Sequence, residues 1–303
     1  MKTATHRMIF SLFFLGAGFA GTAGYTQAGQ LDTIRQTRKI TIAHRDASIP
    51  FSYLDADKRP IGYTMDICQK IVYALEKELK IPRIEVSYLP VTSASRMQAI
   101  ADGKAAMECG STTNTAERRK LVDYTIAHFI SSSRFVVRKD SGFSKIEDLT
   151  SKTVASTKGT TNIKTLERLS AERLLRLKII ESQDHAEGFA MVASKKVDAF
   201  AMDDVLLFGL RANSATPDAF EVVGKPMTIE PYAIVLPRGD AAFKKVVDTE
   251  MRRIILSGEI NGIYKKWFEQ PIAPKGINLA LPMPYMLRDS FKYPSDKVAD
   301  LDN

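Results

Sequence analysis

The sequence predicts an α/β fold of two lobes, each built on a mainly parallel sheet flanked by helices. Segments with strand periodicity alternate along the chain with segments of helix periodicity, and this alternation occurs in two successive sets. Without the first 28 residues, which have the features of a cleaved leader, roughly 275 residues remain, near the length at which a single hydrophobic core stops growing. Two lobes are therefore favoured over one core.

The first set of elements has the order strand, helix, strand, helix, strand. Consecutive strands that are joined by a helix run parallel, so their carboxyl ends meet at one edge of the sheet, where α/β proteins bind ligands. The predicted strands are Lys39–Ala43, Ile84–Leu89 and Lys104–Cys109, and the predicted helices are Tyr63–Leu79 and Ser93–Ala101.

The second set of elements begins after Ser131-Ser132-Ser133 and has the same character. Its predicted strands are Arg134–Val137, Thr153–Ser156, Lys178–Ile180 and Val197–Met202, with helices starting at Thr160, after Asp184 and after Asp204. The stretches 128–134 and 227–232 are the expected hinges, where the chain passes between the lobes.

The N-terminus predicts export from the cytoplasm. Lys2, His6 and Arg7 form a basic start, an apolar core runs from Ile9 to Ala20, and Thr26-Gln27-Ala28 is a small-x-small cleavage candidate. This is the pattern of a secretory signal peptide, and it is too short and weakly flanked for a stable membrane span. No cysteine lies near it, so we expect no lipid anchor.

Charge does not indicate a nucleic-acid-binding protein. The chain has 43 Lys and Arg against 35 Asp and Glu, a formal charge of +8, and cleavage of the leader leaves about +6 because Lys2 and Arg7 are lost. The basic residues are scattered among acidic ones, without a Lys/Arg block or an RNA-binding motif. We therefore expect no nucleic-acid partner, and the excess positive charge fits an anionic ligand only loosely.

The cysteines and histidines do not indicate a metal or redox centre. The four histidines have no metal-ligand spacing with each other or with the two cysteines, Cys68 and Cys109. Export permits a disulfide, but Cys68 lies on an apolar helical face, so the sequence favours two free, buried thiols. Nucleophile-elbow and phosphate-loop motifs are also missing from the sequence. We expect no metal and no cofactor.

The most informative stretch is Glu108–Arg118, which follows the end of a predicted buried strand. Gly110 permits a turn, hydroxyl residues follow, and Asn114 with Glu117 has the spacing of a helix capping box. A strand tip, free N–H groups at a helix start and an arginine one turn later suit a carboxylate or a phosphate. The alternative is an ordinary capped helix whose arginine, Arg118, is solvated.

This stretch resembles the ligand-carboxylate motif of the periplasmic amino-acid-binding proteins that feed ABC importers (solute-binding protein family 3). Its Glu-Cys-Gly-Ser-Thr-Thr-Asn form is particularly similar to the glutamate/aspartate-binding members. The likeness covers about residues 31–275, and other similar segments occur in the subgroup's order and roughly at its spacing: His44–Tyr53, Gly62-Tyr63, Pro90–Ser93, Arg96, Lys158–Thr161, Asp184-His185, Met202–Asp204 and Ile263–Phe268.

The resemblance implies a two-lobed periplasmic binding protein of type II, the Venus-flytrap fold, with two hinge crossings. It implies a signal peptide over 1–28 and a first lobe over 29–130. The second lobe is then 131–229, the chain returns to the first lobe over 230–275, and 276–303 forms a C-terminal tail, wrapped or frayed.

The resemblance also implies a role for residues around the ligand's amino-acid group. Arg118 would hold the α-carboxylate, with further donors from Ser111 and Thr113, because a guanidinium pairs both carboxylate oxygens at once. Asp203, after a predicted strand, would accept from the ligand ammonium, and Thr161, at a predicted helix start, would donate to a carboxylate. Capping of a helix N-terminus is the alternative for both of these residues.

Selectivity is expected to depend on Arg45 and Arg96. In the glutamate/aspartate subgroup, arginines at both matching places hold the side-chain carboxylate, the histidine matching His185 contributes, and Ser93 lies in a matching segment. Either arginine could instead be an ordinary surface residue. Three arginines and one aspartate give +2 around a ligand of net charge −1, whereas a neutral amino acid would leave arginines buried and unpaired, which is costly.

The sequence therefore predicts a periplasmic, monomeric solute-binding component of an ABC importer that closes on glutamate or aspartate and delivers it to the membrane permease subunits. One alternative is a receptor for a neutral polar amino acid, and a sensor ectodomain is another. A further alternative is a periplasmic enzyme, dehydratase-like, on the same scaffold. An enzyme would need a positioned acid or base. Glu108 is the spare candidate for that role, and its place in a strand favours a structural function. We expect a binding protein rather than an enzyme.

Overall fold

The computed structural model describes residues 29–297, so the predicted signal peptide lies outside the described residues. The α-helices are Gln30–Thr37, Tyr63–Leu79, Arg96–Ala101, Thr161–Glu172, His185–Ala193, Asp204–Asn213, Ala241–Leu256, Glu259–Phe268 and Tyr285–Ser290. Short 3-10 helices span Arg118–Lys120, Lys139–Ser141, Ile146–Leu149 and Pro217–Ala219. None of the helices within 29–297 is both long and apolar enough to cross a bilayer.

Lobe 1 is built on a five-stranded sheet. In spatial order its strands are Glu85–Pro90, Lys39–His44, Met107–Glu108, Val235–Pro237 and Val122–Tyr124. The first three run parallel, as their helical connections predict, and Val235–Pro237 is antiparallel to both of its neighbours. Because Val235–Pro237 comes from far along the chain, the polypeptide leaves this sheet and later returns to it.

Lobe 2 is built on a second five-stranded sheet. Its spatial order is Lys178–Ser182, Thr153–Thr157, Ala199–Asp203, Ser133–Arg138 and Phe220–Val223. The first three strands are again parallel. The sequence places the strand near Arg134 in a parallel set, and that direction is wrong: Ser133–Arg138 is antiparallel to both of its neighbours. No crossover helix follows it, only two 3-10 turns, so the rule for parallel strands does not apply.

Two short strands connect the lobes. Phe129–Ser131 pairs antiparallel with Glu230–Tyr232, and both lie within the stretches predicted as hinges. An aromatic cluster of Phe51, Tyr63, Phe129, Tyr264 and Phe268 fixes the first of these strands to lobe 1. The ring centroids of Phe51 and Phe129 are 4.9 Å apart, and those of Tyr264 and Phe268 are 4.3 Å apart. Burial of this many rings makes the base of the crossing rigid on the lobe 1 side.

The helix Tyr63–Leu79 begins and ends where the sequence predicts. Its buried residues Ile67, Ile71 and Leu75 recur every fourth position, and this face packs against Ala241–Leu256. The helix Ser93–Ala101 is instead shortened to Arg96–Ala101. Thr92 and Ser95 hold a turn before it, in which each side-chain oxygen accepts from the other residue's backbone N–H.

Cys68 and Cys109 form a disulfide, with Cα atoms 6.4 Å apart, so the expectation of two free thiols is wrong. Both residues are fully buried, as their apolar surroundings predict. The helix that carries Cys68 packs beside the end of the strand Met107–Glu108, which brings the two sulfurs together. That packing joins elements 41 residues apart and is not visible in local periodicity.

The C-terminal segment is described over residues 271–297. Leu287 and Phe291 are buried in the main hydrophobic cluster, which includes most of the lobe 1 core. The Tyr53 hydroxyl donates to the carbonyl oxygen of Ala273 at 2.6 Å, and the Lys275 ammonium donates to the carbonyl oxygen of Asn213 in lobe 2. The segment therefore contacts both lobes.

Candidate functional site

A narrow cavity lies between the lobes. Lobe 1 contributes Ser93, Arg96, Ser111, Thr113 and Arg118, and lobe 2 contributes Thr160, Thr161, His185, Met202, Asp203 and Leu206. Eight of the nine residues singled out from the sequence therefore line one cavity, and the ninth, Arg45, contacts His185 directly.

Arg118 reaches across the cleft. Its guanidinium donates to the carbonyl oxygen of Thr113 at 2.9 Å and to that of Gly159, in lobe 2, at 3.1 Å. These bonds use two of the five N–H groups of the guanidinium, so the side chain is oriented and retains donors for an anion.

The capping box predicted for Asn114 and Glu117 does not form. Only the 3-10 turn Arg118–Lys120 follows the loop, and the side chain of Glu117, at its N-cap position, makes no capping bond. The Asn114 N–H donates to the Pro231 carbonyl oxygen at 2.8 Å, and the Glu117 carboxylate pairs with Lys164 of lobe 2. Both residues are thus used in contacts with the crossing strand and with lobe 2.

Gly110 lies just after the strand, where a Cβ would overlap the Glu108 carboxylate. A residue without a side chain is therefore needed at this turn. Glu108 is fully buried and accepts from the Thr112 hydroxyl at 2.8 Å. It does not line the cavity. The pKa values of Arg45 and Arg96 are both lowered by burial, and the negative charge of Glu108 partly offsets this lowering. Glu108 is therefore a buried counter-charge for the two arginines.

Arg45 and Arg96 are each only 2% exposed. Burial, together with the charges of Arg118 and Arg45, lowers the pKa of Arg96 to about 9. Nη1 of Arg45 and both Nε and Nη1 of Arg96 are buried without a hydrogen-bond partner in the described structure, as is the neighbouring Ser93 hydroxyl. Buried donors of this kind are costly unless an acceptor pairs with them, so this part of the cavity suits an anionic group.

His185 is held between Thr157 and Arg45. Its Nδ1 lies 2.9 Å from the Thr157 hydroxyl, and its Nε2 lies 3.5 Å from Nη2 of Arg45. Burial, with the charges of Arg45 and Arg96, keeps the pKa of His185 well below its usual value, so the ring is neutral. Because arginine can only donate, we assign the ring hydrogen to Nδ1, where it donates to Thr157.

Asp203 ends the strand Ala199–Asp203 and is 2% exposed. Its side chain makes no capping bond to the following helix. It accepts instead from the Asn162 amide at 2.8 Å and from the Tyr232 hydroxyl. Burial and the nearby charge of Glu230 raise the pKa of Asp203 to about 7. A cation placed beside it would favour the ionised form.

Thr161 is the first residue of the helix Thr161–Glu172, so the N-cap position is occupied by Thr160. The Thr161 hydroxyl donates to Oε2 of Glu230 at 3.0 Å. The sequence analysis instead expects this hydroxyl to donate to a carboxylate of the ligand. Tyr232 and Glu230 are functional candidates that the sequence analysis missed. The signal was available, because Glu230-Pro231-Tyr232 places a charged residue within a predicted hinge.

Within residues 29–297, no cluster of three or more His, Cys, Asp or Glu side chains could hold a metal ion. The charged side chains that line the cavity are Arg96, Arg118 and Asp203, with Arg45 directly beside them. This lining suits an organic anion that also carries a cationic group.

Comparison with known sequences identifies relatives over nearly the whole chain. The L-glutamate/L-aspartate-binding protein of Pseudomonas aeruginosa is 44% identical over 273 residues, 90% of this chain and 90% of the relative. The glutamate/aspartate import solute-binding protein of Escherichia coli is 36% identical over 283 residues, 93% of this chain and 94% of the relative.

Solved structures share the fold. A cysteine-binding protein from Campylobacter jejuni has a TM-score of 0.68 at 24% identity, over 79% of this chain and 93% of that chain. An ancestral amino acid-binding protein, a precursor of cyclohexadienyl dehydratase, has a TM-score of 0.66 at 26% identity, over 80% of this chain and all of that chain. The type II two-lobed architecture predicted from the sequence is therefore confirmed.

The family model of the bacterial extracellular solute-binding proteins, family 3, matches residues 40–270. This match covers most of the chain, both sheets and both crossing strands. The chain is therefore a member of the bacterial extracellular solute-binding proteins, family 3.

Proposed function

We propose that this protein binds glutamate or aspartate in the cleft between its lobes and delivers the amino acid to an ABC importer. The observation that carries the proposal is the pair of buried arginines, Arg45 and Arg96, with N–H groups that have no partner in the described structure. A second carboxylate on the ligand would pair with these groups. The names of the relatives at 44% and 36% identity support the same ligand class.

The cavity has a complementary group for each part of an acidic amino acid. Arg118, with Ser111 and Thr113, lies where it would hold the α-carboxylate. Asp203 would accept from the ammonium group, and Arg45 and Arg96, with Ser93, would hold the side-chain carboxylate. His185 acts through Arg45 in this proposal, since its Nε2 accepts from that residue.

A neutral ligand fits this charge distribution poorly. Glutamine or asparagine would place a carboxamide against two buried guanidinium groups and leave positive charge unpaired. Removing one partner of a buried, hydrogen-bonded charge pair costs about 2–5 kcal/mol, or roughly 30- to 5,000-fold in affinity. Acidic ligands are therefore favoured over their amides.

Contacts across the cleft support a closed, ligand-competent arrangement. Arg118 donates to Gly159, Glu117 pairs with Lys164, and Arg45 contacts His185, each pair joining lobe 1 to lobe 2. Ligand that bridges Arg118 and Asp203 would favour this arrangement over an open one, because only the closed cleft provides both contacts.

We favour transport over enzymatic turnover. An enzyme would need an acid or base that is free to act on the ligand. Glu108 is buried away from the cavity, and His185 is neutral and engaged on both ring nitrogens. Asp203 does line the cavity, but in this proposal it is paired with the ligand ammonium. The relatives are named as binding proteins. One structural neighbour is a precursor of a dehydratase, so turnover remains a specific outcome to test.

The compartment and partners are also part of the proposal. The basic start, apolar core and cleavage candidate of residues 1–28 support export to the periplasm. We propose that the mature protein acts as a monomer there, with the boundaries 29–130, 131–229 and 230–275 for its lobes, and that it docks on the importer's permease subunits.

A calorimetric screen of the twenty amino acids tests the ligand class. The mature protein should first be unfolded and refolded without reductant, so that co-purified ligand is removed and the Cys68–Cys109 bond is kept. Glutamate or aspartate should bind roughly 30- to 5,000-fold more tightly than glutamine or asparagine. Equal affinity for glutamate and glutamine would contradict the acidic assignment, and chemical change of the recovered glutamate would support the enzyme.

A further inference from the structure

Glu230 is a buried carboxylate beside the cavity. It lies in the second crossing strand, Glu230–Tyr232, opposite Ser131 of the first, and is 2% exposed. Its Oε2 accepts a hydrogen bond from the hydroxyl of Thr161, a residue that does line the cavity. Glu230 is therefore joined to the cavity lining by one hydrogen bond, through Thr161.

The hydrogen bond to Glu230 determines what the Thr161 hydroxyl can do. A hydroxyl has one hydrogen to donate and two lone pairs that accept. The Thr161 hydroxyl donates its hydrogen to Oε2 of Glu230, at 3.0 Å. The lone pairs of the same oxygen are then the part available to a ligand, and they suit a donor such as an ammonium group.

Asp203 adds to the negative character of this end of the cavity. The charge of Glu230 acts on Asp203 and, after burial, is the next largest cause of its raised pKa. Neither carboxylate has a Lys or Arg ion-pair partner in the part of the chain that the structure describes; Asp203 is held by Asn162 and Tyr232. Two buried acids without a cation favour a cationic ligand group nearby.

We propose that Glu230 is a positioning residue for the ammonium end of the ligand: it turns the Thr161 hydroxyl into an acceptor, which together with Asp203 receives the ammonium hydrogens. This inference rests on the proposed function. It makes Thr161 part of the cation site, and it gives the crossing strand a direct effect on ligand affinity.

A double-mutant cycle tests this arrangement in the full mature protein. Glu230→Met, which keeps the side-chain length but has no good acceptor for the Thr161 hydroxyl, Thr161→Val and the double variant should be titrated with glutamate at pH 8. This pH is above the pKa of Asp203, so changed ionisation of Asp203 contributes little. Each single variant should weaken glutamate binding by at least about tenfold, the lower end expected for a hydrogen bond that involves a charged group. The double variant should bind about as tightly as the weaker single variant, because both remove the same interaction.

Two controls separate positioning from general structure. Thr161→Ser keeps the hydroxyl and should bind glutamate within about threefold of the wild type. Glutarate, which has both carboxylates of glutamate and no ammonium, should bind the wild type and Glu230→Met with affinities that agree within about threefold.

The outcomes distinguish the two proposals. Equal losses for glutamate and glutarate in Glu230→Met, or losses that simply add in the double variant, would overturn the role of Glu230. Unchanged glutamate affinity in Glu230→Met would also overturn it. Wild-type protein that binds neither glutamate nor aspartate would overturn the proposed function itself, and this inference with it.

Discussion

Arg118 and Gly159 lie on opposite sides of the cleft, and the Arg118 guanidinium donates to the Gly159 carbonyl oxygen at 3.1 Å. Gly159 has a φ of +77°, and a Cβ at this position would lie 2.6 Å from the Cα of Ala94 and 2.7 Å from the carbonyl oxygen of Ser93. Ser93 and Ala94 belong to lobe 1. The two lobes thus meet backbone to backbone at the edge of the ligand cavity, and only glycine fits there.

Gly159→Ala should weaken ligand binding by preventing full closure. The added methyl group meets lobe 1 backbone, which cannot rotate away as a long side chain can. We expect at least about a tenfold loss of glutamate affinity, because the affinity falls with the fraction of closed cleft. Calorimetry measures the affinity, and small-angle scattering with saturating glutamate should show a larger radius of gyration than the wild type.

Gly142→Ala is the matched control for this prediction. Gly142 has a nearly equal φ of +71° and also belongs to lobe 2, but nothing lies within 4 Å of the position of its Cβ. Both substitutions should cost about 1–2 kcal/mol of folding stability through backbone strain. Only Gly159→Ala should change affinity, and equal effects of the two variants on binding would contradict the closure argument.

Local chemistry explains what the sequence predicts well. The helix Tyr63–Leu79 is predicted to the residue because its apolar positions repeat every third and fourth residue. The strand near Lys39 is predicted to within one residue for a related reason, a short β-rich run. The convergence of eight candidate residues on one cavity follows from the resemblance of the motifs to a known family, which carries long-range information that local patterns lack.

The features that the sequence analysis missed depend on contacts between distant segments. The disulfide joins a helix to a strand end, and the direction of Ser133–Arg138 depends on its pairing with Ala199–Asp203. The direction of the Thr161 hydroxyl depends on Glu230, 69 residues away. Each is determined by tertiary packing, so neither propensity nor periodicity could have shown it.

The Cys68–Cys109 bond should stabilise the ligand-binding loop. Cys109 directly precedes Gly110, and the bond ties this loop to the helix Tyr63–Leu79. For a loop closed over a separation of 41 residues, the chain-entropy relation gives about 4 kcal/mol. The Cys68→Ala/Cys109→Ala variant should therefore lose about that much free energy of unfolding, measured with urea in the absence of ligand.

Reductant provides a second measurement of the same bond. Both cysteines are fully buried, so dithiothreitol should reduce the native protein only as fast as the loop or the whole protein opens. Rapid reduction under native conditions, or an unchanged free energy of unfolding in the double alanine variant, would contradict the assignment of this bond as a buried stabilising link.

His128 should make folding stability depend on pH. It is fully buried beside Phe51 and Tyr63, and neither ring nitrogen has a hydrogen-bond partner in the described structure. Burial lowers its pKa from about 6.5 to about 3. Between these values the unfolded chain binds the extra proton, so stability rises with pH across this window and is lost as pH falls, by about 1.4 kcal/mol per pH unit at most.

The measurement compares the wild type with His128→Leu. The free energy of unfolding should be determined by urea titration at several values between pH 4 and pH 8, and the difference between the proteins isolates His128. This difference is needed because Asp203 changes stability with pH in the opposite direction. Its pKa is raised to about 7 in the folded protein, so its contribution to folding stability is lost as pH rises. Parallel pH profiles for the two proteins would show that His128 does not carry this dependence.

Arg96 and Arg118 should respond differently to the same substitution. Arg118 lies where it would hold the α-carboxylate common to all amino acids, so Arg118→Met should remove measurable binding of glutamate and glutamine alike. Arg96→Met should weaken glutamate roughly 30-fold or more and leave weak glutamine binding, because it removes a partner of the side-chain carboxylate. Calorimetric titration with both ligands distinguishes the two patterns.

Arg96→Met should also stabilise the ligand-free protein. Arg96 is 2% exposed, and its Nε and Nη1 have no hydrogen-bond partner in the described structure. Burial is the main cause of its lowered pKa of about 9, so keeping this side chain charged destabilises the folded protein. Replacing such a charge with an apolar side chain of similar length should raise the free energy of unfolding by about 1 kcal/mol or more.

The exposed Arg83 is the control, since Arg83→Met removes one positive charge from the surface of the same lobe and should change neither binding nor stability appreciably. Ligand-free Arg96→Met that is less stable than the wild type, or that loses glutamate and glutamine binding equally, would show that Arg96 supports the fold rather than the selectivity of the site.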